Sequence, residues 1–157
     1  TVAKMKQQVP ADHARRMMHA MVRLQNAASA RDINKAVWAV SSLGHELPPQ
    51  QLQQLLQASA RRQQQADLFQ MEKWLWACAK QRYYPKKLLA ARWLPSALHT
   101  ASPEAVTNIA WACGRLGHRD EQLMAALLAE VAWQLAASSG GATPDLAVVC
   151  WAVAVLM

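Results

Sequence analysis

The dipeptide Trp-Ala recurs at Trp38-Ala39, Trp76-Ala77, Trp111-Ala112 and Trp151-Ala152, with steps of 38, 35 and 40 residues between tryptophans. A near-constant period of this length marks a chain built from repeated structural units, none of which can bury its apolar side alone. The surroundings of each tryptophan repeat as well. The positions five, two and one before it and two after it hold Ile33, Ala36, Val37 and Val40, then Met71, Trp74, Leu75 and Cys78, then Val106, Ile109, Ala110 and Cys113, then Leu146, Val149, Cys150 and Val153. All are apolar, and steps of three, four and seven residues keep them on one face of an α-helix. Each unit therefore contains a helix with one buried side.

The residues between these helices supply stop and start signals. Leu43-Gly44-His45 and Leu116-Gly117-His118 place glycine just past a helix end, where a left-handed cap is wanted. Second helices then begin near Pro48-Pro49, Pro85 and Asp120, since proline and acid both suit a first turn. The pattern predicts first helices near 31–43, 67–81, 103–116 and from 145 onward, and second helices over 50–62, 86–98 and 121–137. An additional second helix is expected over 11–26. Ser102-Pro103-Glu104 and Thr143-Pro144-Asp145 read as hydroxyl caps followed by proline and acid. The fold expected is an all-α solenoid of helix-turn-helix repeats, with boundaries near 1–29, 30–66, 67–101, 102–142 and 143–157. The first and last repeats are partial, and the apolar run 146–157 has no polar cap, so the chain is expected to be a piece of a longer solenoid.

Charge is uneven along the chain. Residues 1–92 carry 15 basic and 5 acidic side chains, whereas residues 93–157 carry 2 and 5. A positive surface of this kind attracts polyanions, nucleic acid first among them. The longest apolar runs, 123–137 and 146–157, are too short to span a bilayer, so no membrane partner is expected, and no signal peptide is visible. Cys78 and Cys113 stand where other copies have Val40 and Val153, and Cys150 where they have Val37, Leu75 and Ala110. The thiols read as small buried apolar groups, because no metal-ligand spacing is present.

The block Asn108-Ile109-Ala110-Trp111-Ala112-Cys113-Gly114-Arg115-Leu116-Gly117 and its echo Ala36-Val37-Trp38-Ala39-Val40-Ser41-Ser42-Leu43-Gly44, at this period, resemble octotricopeptide repeats. The same block is similar to the helical repeats of RAP-domain and FAST-kinase-domain proteins, although no RAP domain is visible. The second copy departs from the pattern, with Lys80-Gln81-Arg82-Tyr83 in place of the Leu-Gly ending. The resemblance implies a right-handed α-solenoid that binds RNA in a mitochondrion or chloroplast. It further implies a role in organellar RNA metabolism, translation or ribosome architecture, with organellar ribosomal proteins as further partners.

The residues support RNA binding independently. Positions four and three before the tryptophan, the tryptophan itself and four after it form a second stripe, expected to face away from the core. It reads Asn34, Lys35, Trp38, Ser42, then Glu72, Lys73, Trp76, Lys80, then Thr107, Asn108, Trp111, Arg115. Cations for phosphate, amides and hydroxyls for base edges, and aromatic faces for stacking are what single-stranded RNA binding uses. On this reading Lys35, Lys73, Lys80 and Arg115, with Lys86 and Lys87 nearby, contact phosphate, while Asn34, Ser42, Thr107 and Asn108 touch bases. Trp38, Trp76 and Trp111 either stack on bases or pack between neighbouring repeats. Trp93 and Trp133, each 18 residues before the next repeat's tryptophan, read as second-helix packing positions.

His45 and His118 occupy one turn position, with Tyr83 at its equivalent, and read as turn or surface residues; the other histidines lack partners at ligand spacing. No phosphate loop, nucleophile constellation or paired carboxylate is recognisable, so the chain is read as non-catalytic, without cofactor or metal. Two rival readings remain: a protein-binding scaffold, and a shape-filling component of a large assembly.

Overall fold

The computed structural model describes residues 10–62, 68–90, 94–138 and 140–157. Every regular element among them is helical, and they belong to two compact units, Thr1–Ala66 and Asp67–Met157.

In the first unit, α1 (Ala11–Leu24), α2 (Ala30–Ser42) and α3 (Pro49–Arg62) pack on one another. Ser29 caps α2, its hydroxyl oxygen accepting from the Asp32 amide at 3.1 Å. Ala14 and Met18 of α1, Ile33, Val37 and Val40 of α2, and Leu52, Leu55 and Ala58 of α3 form the core, with Leu47 from the turn. The spacing of Ile33, Val37 and Val40 is the periodicity read from the sequence.

The second unit contains α4 (Leu68–Lys80), α5 (Lys86–Leu89), α6 (Leu94–Ala97), a 3₁₀ turn (Leu98–Thr100), α7 (Pro103–Leu116), α8 (Glu121–Ala137) and α9 (Leu146–Leu156). The three tryptophan helices form a layer in which α7 packs against both α4 and α9, while α8 lies on α7, α6 and the 3₁₀ turn. Leu75, Val106, Ile109 and Leu127 are fully enclosed, and burial of each stabilises the unit by about 1.5–3 kcal/mol.

Side-chain caps fix the starts of α2, α7, α8 and α9. The Ser102 hydroxyl accepts from the Ala105 amide and the Asp120 carboxylate from the Leu123 amide. Before α9 the cap is Asp145, accepting from the Ala147 and Val148 amides, and not Thr143, because the carboxylate sits one residue ahead of the helix and reaches two free N–H groups. The single helix expected over 86–98 is instead α5, then α6 and the 3₁₀ turn. Pro95 explains the interruption: inside a continuous helix it would remove one hydrogen bond and clash with the preceding turn, whereas near the start of α6 it does neither.

Three first helices end alike. The amides of His45, Tyr83 and His118 donate to the carbonyls of Val40, Cys78 and Cys113 at 3.2, 2.9 and 3.0 Å. The residue before each is left-handed: Gly44 at φ 79°, Arg82 at φ 53° and Gly117 at φ 64°. The second copy thus makes the same turn without glycine, at the steric cost a Cβ carries in that conformation. Arg82→Gly should raise stability by about 0.5–1 kcal/mol, less than the full strain because glycine has more freedom to lose on folding. A denaturant midpoint at or below wild type contradicts this.

His118, in the third of these turns, shares a 2.7 Å hydrogen bond through Nδ1 with the Tyr84 hydroxyl, and its Nε2 is buried without a partner. Burial holds its pKa below the usual 6.5, against a smaller upward pull from Asp120. The unfolded chain therefore takes up the proton first as pH falls. The stability due to neutral His118 is complete above pH 6.5 and is lost as pH drops through the depressed folded pKa. His118→Asn should show a smaller fall in unfolding midpoint than wild type between pH 7 and 5; equal falls would refute the assignment.

Candidate nucleic-acid interface

Helices turn about 100° per residue, which separates the predicted stripe into two parts. The positions seven and three before the tryptophan, the tryptophan and the position four after it lie opposite the buried face. On α4 these are Phe69, Lys73, Trp76 and Lys80. The position four before the tryptophan follows directly after a core residue and so falls on the helix flank.

In the second unit the outward set brings aromatic rings and cations into a ladder, with one exposed carboxylate, Glu104, 4.0 Å from Lys73 Nζ. The Trp76 and Trp111 rings, on α4 and α7, lie 6.3 Å apart at 37°, so these tryptophans pack between neighbouring helices. Lys80 Nζ stands 5.3 Å from the centroids of both rings. Its charge is thereby held over the junction of two first helices, by contacts each contributing about 0.5–1 kcal/mol at an exposed site. Lys73 Nζ lies 5.4 Å from the Phe69 centroid. Phe69 is 62% exposed and went unrecognised in the sequence reading, although its place four residues before Lys73 was the available signal. Arg115 is exposed on α7, and Lys86 and Lys87 are exposed on α5. In the first unit, Lys35 and Trp38 are exposed on α2.

The flank set points elsewhere. Asn34, expected to face outward, is 6% exposed, and its Oδ1 accepts from the Ser59 hydroxyl of α3 at 2.7 Å. Glu72 is 2% exposed; its Oε1 accepts from Asn108 Nδ2 at 2.6 Å and lies 3.3 Å from Lys73 Nζ. A carboxylate so deeply buried requires such partners, and they draw Asn108 and Lys73 toward it. Thr107 donates to the Pro103 carbonyl and accepts from the Asp145 amide at 2.9 Å, tying α7 to the start of α9. Ser42, four residues after Trp38 and so in the outward set of α2, nonetheless has its hydroxyl oxygen buried without a partner.

The readings of Trp133 and Cys150 are also corrected. Trp133 is 63% exposed, because α8 turns Leu123, Leu127, Glu130, Val131 and Gln134 inward and leaves Trp133 on the opposite side. Trp93 lies outside the described residues. Cys78 and Cys113 are buried, and burial pushes both thiols up to about 12. Cys150, at a position buried in the other copies, is exposed on a face of α9 that the packing on α7 leaves open. Among the described residues, no group of three or more His, Cys, Asp or Glu is placed to hold a metal ion, and no helix is long and apolar enough to cross a membrane.

Compared with protein-family profiles, curated proteins and solved structures, the chain matches none.

Proposed function

We propose that this protein is a non-catalytic, RNA-binding helical-repeat protein, its first helices forming a solenoid with a period near 38 residues. The observation that carries the reading is Lys80, its ammonium over both Trp76 and Trp111, with Arg115 exposed on the adjoining helix. A cation fixed against two aromatic faces offers phosphate neutralisation and a stacking surface together, which is the combination single-stranded nucleic acid uses. The excess of basic residues over 1–92 adds long-range attraction. The role this reading fits is organellar RNA metabolism, translation or ribosomal RNA architecture in a mitochondrion or chloroplast.

The test is a salt titration of binding to single-stranded RNA. Affinity should fall steeply and linearly on logarithmic axes as counterion release is suppressed. Weak binding indifferent to salt would favour a protein-binding scaffold instead. One observation speaks for that alternative: Leu128, Trp133 and Leu135 on α8, with Leu146 and Val155 on α9, are exposed.

A further inference from the structure

Of the four side chains expected to distinguish bases, three are bonded within the fold and the fourth is enclosed. Asn34 is buried against Ser59, and the Ser42 hydroxyl oxygen is enclosed. Thr107 both donates and accepts within the second unit, and the Asn108 amide group donates to a buried carboxylate. Freeing Asn108 would leave Glu72 with one fewer donor in a site 2% exposed, which costs more than a base-edge hydrogen bond returns in water. What remains on the outward stripe of α4 and α7 is mainly cations and aromatic rings: Phe69, Trp76, Trp111, Lys80 and Arg115. The exposed carboxylate Glu104, beside Lys73, accepts hydrogen bonds but offers no donor and repels phosphate. Ammonium and guanidinium groups recognise phosphate, which carries no sequence information, and every base has a face that stacks.

From this we infer that the ligand class is single-stranded RNA of any sequence, held by its backbone and by base stacking, with no base-edge readout at the tryptophan stripe. The inference rests on the RNA-binding reading and narrows it.

The experiment compares wild-type protein with 20-nucleotide oligo(U), oligo(C) and oligo(A) by fluorescence anisotropy at several salt concentrations. Dissociation constants within about fivefold of one another, with a common salt slope, are expected, since stacking strength alone gives modest preferences. One oligomer bound more than about thirtyfold tighter than the others would overturn the inference while leaving RNA binding intact, because a specifying base contact discriminates by about 5- to 150-fold per base and accumulates along the strand. Failure to bind any of the three would overturn both.

Discussion

Lys80→Glu combined with Arg115→Glu should weaken single-stranded RNA binding on the order of 100-fold near physiological salt and lower the salt slope by about 1.4. Lys80 is the only cation described at ring-contact distance from both Trp76 and Trp111, so its reversal places a negative charge where phosphate would approach an aromatic surface. Arg115 is exposed on the adjoining helix and has no role in the core of the second unit. Two lost phosphate contacts account for the change in slope at about 0.7 per contact for single strands, and repulsion by the two new carboxylates deepens the loss. Lys73 is a poorer choice for reversal, because it lies beside buried Glu72 and a second carboxylate there would destabilise the helix pair. Helix content by circular dichroism should be unchanged in the double variant. Undiminished RNA binding would remove the tryptophan ladder as the interface.

Gly114→Val should destabilise the second unit by about 3 kcal/mol, with α9 released first. A Cβ on Gly114 would meet Trp151 Cζ3 at 2.8 Å, the Ala152 Cα at 3.0 Å and the Ala152 Cβ at 3.1 Å. Trp151 is 41% exposed and its ring has room to swing aside, but the Ala152 backbone does not. Alanine at this position sets about 1 kcal/mol of helix propensity against the clash, so Gly114→Ala should cost only about 1 kcal/mol. Valine adds two methyl groups to the same contact and gains little propensity. Hydrogen exchange should quicken in Ala147–Leu156 before it quickens in Val106–Cys113, as expected where a helix docked on one side opens locally. A valine variant as stable as wild type, with α9 equally protected, would show that the glycine seat does not hold the two helices together.

Gly114 is a case in which the sequence held the information without revealing its use. Three residues after each tryptophan the copies carry Ser41, Ala79, Gly114 and Ala154, all small, and one residue after it always alanine. That regularity was visible, but only the packing of α7 on α9 shows the small residue receiving the Trp-Ala of the next first helix. The same flank carries Thr107, bonded to the Asp145 amide, and on α4 its counterpart Glu72, bonded to Asn108. A polar residue at a repeated position was read as ligand-facing, whereas these join neighbouring helices. The periodicity of a single helix defines its buried side clearly and its two flanks poorly, since a flank is assigned only by the neighbour that covers it.

The sequence by itself determined where most of the helices lie and which side of α2, α4 and α7 is buried, because apolar periodicity, cap residues and left-handed turns are local and act the same way in each of these copies. Hence α7 and α8 run over the residues expected, and Ile33, Leu75 and Ile109 are enclosed. Tertiary structure alone decided which polar groups remained free. A buried carboxylate such as Glu72 must be paired, so it takes Asn108 from the helix beside it, 36 residues away along the chain. Asn34 is taken by Ser59, and Lys80 is set between two rings on different helices, for the same reason: the partner of a polar or aromatic side chain is chosen by packing across elements, where the one-dimensional pattern carries no distance information.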